Sequence, residues 1–216
     1  PDMAGFGFTE RLENYEYTMD NWVQHAVDLM DALGIEKAHL VGNSFGGGLA
    51  IALAIKHPER VNRLVLMGAA GVEFELTAGL DEVWGYEPSV ANMRKMMDLF
   101  AYDRSLVTDE LAELRYKASI QPGFQESFSK MFPAPRQRWV DALASDPEDI
   151  KKIQHETLMV HGREDVVVPP ITSKTFFELL PNSQLHMFGK CGHWTQIEQN
   201  ARFNKLVLDF FTEADQ

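Results

Sequence analysis

The sequence is poor in cysteine, has no long apolar run, and carries fewer positive than negative charges. Its one cysteine, Cys191, excludes an internal disulfide and favours a reducing compartment such as the cytoplasm. No apolar run reaches the ~18 residues that a membrane span needs, and no secretory signal is visible. A formal net charge of −12 repels phosphate backbones and anionic lipid surfaces, so neither a nucleic acid nor a membrane is expected as a partner.

The remaining composition is that of an ordinary globular protein. Hydrophobic residues make up 45% and charged residues 24% of the 216 positions, which suits one domain with a sizeable core. Internal repeats and low-complexity tracts are not visible. The first residues, Pro1-Asp2-Met3, are not an initiator sequence and run directly into Gly5-Phe6-Gly7. We therefore expect that the sequence begins partway through a domain.

Apolar strands alternate with helical patterns at both ends of the chain. The predicted strands cover 38–42, 63–67, 157–160 and 185–188. The predicted helices beside them run from Asp20 or Asn21 to about Leu33, from Ser44 to about His57, and over 171–180 and 200–212. Alternating strands and helices, with apolar strands buried on both faces, predict a parallel sheet flanked by helices.

The middle of the chain differs in composition and in predicted secondary structure. From about Val72 to Ile150 it is rich in methionine, aromatic and charged residues and contains no convincing strand. Short amphipathic helices are predicted over 89–100, 108–119 and 124–132. The sequence therefore predicts an α/β core formed by 1–71 and 151–216, with 72–150 inserted as a helical cap.

The sharpest local motif is Gly42-Asn43-Ser44-Phe45-Gly46. It follows a predicted strand and opens a predicted helix, as the G-x-S-x-G nucleophile elbow requires. Ser44 is the candidate nucleophile, and glycine is expected at 42 and 46 because side chains there would collide. The backbone N–H of Phe45, at the positive end of the helix, is the candidate oxyanion donor. The alternative is a glycine-rich turn without chemistry.

A serine nucleophile needs a base, and His193 is the candidate. It follows the last predicted strand, at the sheet edge where ligands bind in such folds. Asp165 also follows a strand, and the order Ser44, Asp165, His193 is the one that this fold uses. The carboxylate would orient the imidazole and stabilise the imidazolium. Glu164 is the competing carboxylate, and Cys191, which lacks an elbow, is the competing nucleophile; the other six histidines are interpreted as structural.

Seven segments spread over nearly the whole chain carry a family resemblance. They are Pro1-Asp2-Met3-Ala4-Gly5-Phe6-Gly7, Gly42-Asn43-Ser44-Phe45-Gly46-Gly47, Phe100-Ala101-Tyr102-Asp103, Leu114-Arg115-Tyr116, Phe132-Pro133-Ala134-Pro135-Arg136-Gln137-Arg138-Trp139, His161-Gly162-Arg163-Glu164-Asp165 and Cys191-Gly192-His193-Trp194-Thr195-Gln196. In these segments the chain resembles the meta-cleavage product hydrolases, α/β-hydrolases that cleave carbon–carbon bonds in bacterial aromatic degradation. It is most similar to the branch that acts on 2-hydroxymuconate semialdehyde and alkyl-substituted 2-hydroxy-6-oxohexa-2,4-dienoates.

The resemblance implies a substrate and a set of contacts. The family hydrolyses the bond beside the 6-oxo carbon of the dienoate, giving 2-hydroxypenta-2,4-dienoate and a small carboxylic acid, with no metal or organic cofactor. Arg115 matches the family's carboxylate-binding arginine, and Asn43 and Trp194 match positions at the polar end of the pocket. Without the resemblance, Arg115 would be interpreted as a solvated helix charge. The family also suggests a homo-oligomer.

Two other functions stay open, and one family feature is absent. A carboxylesterase or lipase, or a non-catalytic ligand-binding protein, could use the same fold. The family's His-Gly-x-Gly-Pro-Gly-like segment, which supplies a second oxyanion donor, has no counterpart before Pro1, and neither do the first strands. Losing one oxyanion donor typically costs about 10²–10³ in rate. We therefore expect part of an active enzyme, and little activity from these residues alone; wild-type turnover by the 216-residue chain would contradict this.

Overall fold

The computed structural model describes residues 1–212, and its centre is a parallel sheet of four strands. The strands are β1 (Ala38–Asn43), β2 (Val61–Met67), β3 (Thr157–Gly162) and β4 (Ser183–Phe188). They lie side by side in the order β1-β2-β3-β4, and each neighbouring pair is parallel. The predicted parallel sheet is confirmed, and all four strand carboxyl ends lie on one edge.

Helices flank the sheet and fill the stretch between β2 and β3. Those outside that stretch are α1 (Met19–Ala32), α2 (Phe45–Lys56), α9 (Ile171–Leu179), α10 (Thr195–Glu198) and α11 (Asn200–Thr212). Those inside it are α3 (Ala78–Trp84), α4 (Val90–Phe100), α5 (Asp109–Ser119), α6 (Phe124–Met131), α7 (Gln137–Leu143) and α8 (Pro147–Ile150). Within residues 1–212, no helix has both the length and the apolar character needed to cross a membrane.

The hydrophobic core is built around α2, which packs against β1, β2 and α1. Every residue of α2 from Gly47 to Ala54 is buried, as expected for a helix that is apolar on all sides. On β2, the neighbours Leu64 and Val65 are both fully buried although they point to opposite faces of the sheet. The sheet is therefore covered on both faces at its centre.

Helix α1 and strand β1 differ from their predictions in detail. Helix α1 is capped by Thr18, whose hydroxyl accepts a hydrogen bond from the Asn21 N–H, and not by Asp20 or Asn21. Leu33 lies beyond the end of α1 and is 65% exposed, because the chain turns away at Gly34 with a φ of +66°. The prediction of burial on both faces is wrong for the edge strand β1, where Val41 is 51% exposed.

The helices between β2 and β3 form a second layer of packing. Helices α3, α4, α5 and α6 contact one another in sequence, whereas α7 and α8 contact α2. A hydrophobic cluster of their own includes Met93, Met97, Phe100 and Val140, and Trp194 joins it from the other end of the chain. Helices α3, α7, α8 and α10 were not predicted, since elements of seven or fewer residues are too short to show a period.

Candidate active site

Ser44 lies on the tight turn between β1 and α2. Its backbone has a φ of +55° and a ψ of −118°, a conformation that is strained for a residue with a side chain. The turn is held by the end of β2, because the Ser44 N–H donates to Met67 O at 2.9 Å and the Ser44 carbonyl accepts from Ala70 N at 3.1 Å. The serine is thereby fixed at the carboxyl edge of the sheet, as the elbow motif predicts.

The glycines around Ser44 have different roles. A Cβ atom on Gly42 would lie 2.2 Å from the Gly46 carbonyl oxygen, and one on Gly47 would lie 2.3 Å from Ala69 Cβ. Both positions must stay small, because Gly42 faces backbone atoms and Gly47 faces the Cβ of Ala69. A Cβ on Gly46 would meet nothing within 4 Å among the described residues. The expected collision at Gly46 is therefore wrong for residues 1–212.

The two residues beside Ser44 are also held in place. Phe45 is the first residue of α2, so its N–H has no acceptor within the helix. Its ring packs against Trp22 and Phe6, with ring centroids 4.6 Å and 5.1 Å away. Asn43 Nδ2 donates to Met67 O at 3.1 Å. The ring of Phe45 thus anchors the turn while its N–H stays at the positive end of the helix.

Asp165 and His193 form a buried hydrogen-bonded pair. His193 Nδ1 lies 2.6 Å from Asp165 Oδ2, and the two residues are 4% and 6% exposed. The other carboxylate oxygen accepts the N–H groups of Val167 at 2.8 Å and Val168 at 3.0 Å. The pair packs on Gly68, where a Cβ would come within 3.1 Å of both side chains. Since Gly68 follows Met67, the pair and the Ser44 turn share the end of β2.

A second histidine, His161, contacts the same carboxylate. It is fully buried, with Nε2 at 3.3 Å from Asp165 Oδ2 and 3.0 Å from Val168 O, and with Nδ1 at 2.7 Å from Ser173 Oγ. The interpretation of His161 as a satisfied structural residue fits these bonds. Its contact with Asp165 was missed, although the spacing of four residues across the turn after β3 is a signal for it.

The surroundings of Asp165 keep its carboxylate ionised. Burial by itself raises the pKa of Asp165, but the charge of His193 and hydrogen bonds from both histidines outweigh it, and the pKa lies below its usual range. Glu164, the competing carboxylate, is turned away. It pairs with Arg163 at 2.8 Å and accepts the Cys191 N–H at 3.1 Å. In this geometry Asp165 is the carboxylate that meets the imidazole.

The Ser44 backbone and the imidazole of His193 both contact the residues at the end of β2. Among residues 1–212, the His193 side chain hydrogen-bonds to Asp165 and not to Ser44 Oγ. Because Nδ1 is used by Asp165, Nε2 is the nitrogen that can accept a proton. Catalytic hydrogen bonds are often long without substrate and tighten when it binds.

A cavity of about 240 Å³ lies between the helices that follow β2 and the loop before α1. Its walls are mostly apolar and include Met93, Met96, Phe100, Phe124 and Phe128. Two cations, Arg11 and Arg115, also line it. A much smaller recess of about 20 Å³ opens beside Ser44 itself and is lined by apolar side chains such as Phe74, Leu80 and Val168.

Arg115 and Trp194 come together although they are far apart in sequence. The Arg115 guanidinium lies 5.3 Å from the centroid of the Trp194 ring, a cation–π arrangement. The Arg115 side chain keeps solvent contact at the surface, yet partial burial lowers the pKa of Arg115. Arginine stays charged at neutral pH nonetheless. Trp194 is buried, so this pair brings a cation next to the residue that follows His193.

Arg11 was not predicted. Its guanidinium stacks on Phe124 at 4.2 Å, its Nε donates to Ser127 Oγ at 3.2 Å and its Nη1 donates to Thr9 O at 2.7 Å. These contacts join the loop before α1 to α6. In the sequence, an arginine in a loop gives no signal for such a contact.

Comparisons with known proteins agree with this geometry. The family model of the alpha/beta hydrolase fold matches residues 1–199. A 2-hydroxymuconate semialdehyde hydrolase from Pseudomonas sp. (strain CF600) is 64% identical over 215 residues, which are 100% of this chain and 76% of that protein. A 2-hydroxy-6-oxo-2,4-heptadienoate hydrolase from Pseudomonas putida is also 64% identical over 215 residues, covering 100% of this chain and 78% of that protein.

A solved structure is equally similar. It is a serine-to-alanine mutant of the meta-cleavage product hydrolase CumD from Pseudomonas fluorescens IP01, complexed with acetates. The match has a TM-score of 0.98 and 67% identity, and covers 100% of this chain and 79% of that one. The chain belongs to the meta-cleavage product hydrolases of the α/β-hydrolase family. The predicted family and fold class are therefore confirmed for this hydrolase.

Cys191 of the hydrolase is buried, and its thiol is expected to be unreactive. Burial, with the charge of Glu198 nearby, raises the pKa of the Cys191 thiol to about 12. The thiolate that a cysteine nucleophile needs is therefore scarce at neutral pH. The thiol lies 3.8 Å from the Gly192 carbonyl and 3.9 Å from Glu198 Oε1. These contacts are typical of a cysteine that packs in the interior.

Substitutions at two elbow glycines should separate their roles. We expect Gly42→Ala to lower the free energy of unfolding by about 1–3 kcal/mol, because its Cβ would overlap the Gly46 carbonyl. Gly46→Ala should change it by less than about 1 kcal/mol, towards greater stability, because alanine favours a helix. Urea unfolding measures both. Equal destabilisation by the two substitutions would contradict the assignment.

The cysteine thiol should resist modification in the folded protein. We expect almost no reaction with Ellman's reagent at neutral pH, because the thiol is buried and its pKa is about 12. Release of one thiol equivalent per chain should follow unfolding in guanidinium chloride, which serves as the control. Rapid reaction in the folded state, with activity lost in parallel, would restore Cys191 as a candidate nucleophile.

Proposed function

We propose that this hydrolase cleaves the carbon–carbon bond beside the 6-oxo carbon of 2-hydroxy-6-oxohexa-2,4-dienoates such as 2-hydroxymuconate semialdehyde. The products are 2-hydroxypenta-2,4-dienoate and a small carboxylic acid, as a step of bacterial aromatic-compound degradation. The observation that carries the proposal is the stacking of Arg115 on Trp194, since it puts a cation that could bind a carboxylate against the residue that follows the candidate base. The activities named for the two 64% identical relatives support it.

The proposed nucleophile is Ser44, with His193 as its base and Asp165 as the residue that orients the base. The pair of Asp165 and His193 supports these roles because its 2.6 Å bond fixes the imidazole tautomer. His193 Nε2 takes the hydroxyl proton while Ser44 Oγ attacks the 6-oxo carbon. The Phe45 N–H then donates to the oxygen that becomes negatively charged.

Bond cleavage requires a stable carbon leaving group. The dienol first tautomerises to the 2-oxo form, so that the electron pair of the broken C5–C6 bond can move from C5 into a dienolate. His193, protonated in the first step, returns that proton to the C2 oxygen of the dienolate, which gives 2-hydroxypenta-2,4-dienoate. Water, activated by His193, then hydrolyses the ester on Ser44 and releases the small acid. This sequence consumes one water and needs no metal or organic cofactor.

The carboxylate end of the substrate is proposed to bind at Arg115. A guanidinium can grip a carboxylate with two parallel hydrogen bonds, which fixes orientation as well as position. Trp194 supports the guanidinium face, and Asn43 is the third proposed contact through Nδ2, which has a second hydrogen besides the one that it donates to Met67 O. The recess of about 20 Å³ beside Ser44 leaves room for a small group on the cleaved carbonyl.

The remaining features of the proposal concern the whole protein. We propose that 72–150 act as a cap over a core of 1–71 and 151–216, which the cavity lining from α3 to α6 supports. The reduced, buried Cys191 supports a cytoplasmic location. A small-molecule dienoate is the expected partner, with neither nucleic acid nor membrane, and the enzyme is proposed to form a homo-oligomer.

Replacing the nucleophile tests the reaction. In the intact enzyme we expect Ser44→Ala to lower dienoate turnover by at least about 10³-fold while the dissociation constant of the dienoate stays close to wild type. Loss of dienoate absorbance and equilibrium titration measure the two quantities. The wild type should also strongly prefer the dienoate to a p-nitrophenyl ester. A preference for the ester would indicate a carboxylesterase, and unchanged turnover by Ser44→Ala would remove this serine from the mechanism.

The choice between two adjacent carboxylates can be tested directly. We expect Asp165→Asn to lower kcat by about 10⁴-fold, because an amide at this position favours the wrong imidazole tautomer. Glu164→Gln is the matched control. Its amide oxygen can still accept the Cys191 N–H, so kcat should stay near wild type. A larger loss in Glu164→Gln than in Asp165→Asn would reverse the assignment.

A further inference from the structure

Glu198, the last residue of α10, binds two separate segments of backbone. One carboxylate oxygen, Oε1, accepts the Gly192 N–H at 2.7 Å. The other, Oε2, accepts the N–H groups of Tyr102 at 2.8 Å and Asp103 at 2.9 Å. Gly192 directly precedes His193, whereas Tyr102 and Asp103 follow α4. One side chain therefore joins the histidine loop to the helical insertion.

The end of α4 contacts the same loop through Phe100. Its carbonyl accepts the N–H groups of His193 at 2.8 Å and Trp194 at 3.1 Å. Its ring stacks on both side chains, with centroids 5.7 Å and 5.3 Å away and interplanar angles of 27° and 29°. Phe100 also lines the cavity that contains Arg115. Movement of α4 would therefore move the imidazole.

The two segments approach too closely to allow a side chain between them. A Cβ on Gly192 would lie 2.7 Å from Phe100 O, 2.9 Å from Tyr102 N and 3.2 Å from Glu198 Oε1. Within residues 1–212, Glu198 forms no ion pair, so backbone N–H groups are what stabilise its charge. Hydrogen bonds to a carboxylate are about twice as strong as those between neutral groups. The three N–H donors approach both oxygens of the side chain, so both oxygens must accept. A carboxylate has two accepting oxygens, whereas an amide has one.

We propose that Glu198 is a positioning residue that fixes the loop of His193 to the end of α4. The position of His193 relative to the wall of the substrate cavity is then fixed. A dienoate held by Arg115 and Trp194 therefore meets an imidazole that is already in place. Glu198 contacts no reacting atom and acts through Gly192. The identity of His193 as the base rests on the proposed function, whereas the link between the loop and α4 does not.

Glu198→Gln tests the proposal in the intact enzyme, because it keeps the size of the side chain and removes one acceptor. We expect kcat to fall by roughly 10- to 100-fold, the effect of a misplaced catalytic group, with a much smaller change in KM because Arg115 is untouched. The low-field proton resonance of the Asp165–His193 hydrogen bond should shift or broaden. Glu198→Asp, which keeps both oxygens, should recover part of kcat.

Controls separate this role from general stability and from the reaction itself. Glu178→Gln, an exposed carboxylate on α9, should leave kcat and the proton resonance unchanged. Turnover of a p-nitrophenyl ester also depends on His193. If the wild type does not cleave dienoates, the proposed function is refuted. If Glu198→Gln then still lowers ester turnover, this inference stands. A Glu198→Gln enzyme with wild-type kcat and resonance overturns the inference. So does a loss of kcat that disappears at lower temperature, where the fold is restored.

Discussion

The buried carboxylate of Asp165 is the group on which the site depends. An ionised carboxylate away from water is costly unless it is fully hydrogen-bonded, and here two backbone N–H groups and two histidines meet it. Those partners come from the turn after β3, from the loop after β4 and from β3 itself. Satisfying this charge therefore forces the loops into one arrangement, and that arrangement places the imidazole of His193 against the end of β2.

The proposed nucleophile, Ser44, is held by a different kind of constraint. Ser44 adopts its positive φ because β1 and α2 pack backbone to backbone at Gly42 and because the end of β2 binds both its N–H and its carbonyl. The strain is small beside the burial of α2 in the core. Backbone packing thus fixes the serine and charge satisfaction fixes the histidine. Both Ser44 and His193 contact the residues at the end of β2, so this segment fixes their positions relative to each other.

The helices between β2 and β3 are coupled to this arrangement at the end of α4. The end of α4 binds the histidine loop through Phe100 and Glu198, and α4 and α5, which contact each other, supply the cavity wall and Arg115. Chemistry on a dienoate needs its carboxylate held at one end and its carbonyl attacked at the other. A direct link between the helices after β2 and the proposed base, His193, meets that requirement better than two independently mobile parts.

The sequence by itself determined the strands, the longer helices, the elbow at Ser44 and the order of serine, aspartate and histidine, because these follow from local periodicity and from a motif with one structural context. It did not determine the helices of seven or fewer residues, the cap of α1 or the open space at Gly46. Only the tertiary structure decided that Asp165 rather than Glu164 meets the imidazole. It also decided that His161 contacts Asp165, that Arg11 lines the cavity and that Glu198 binds Gly192. Adjacent side chains point in different directions, and residues distant in sequence meet only when the chain has folded.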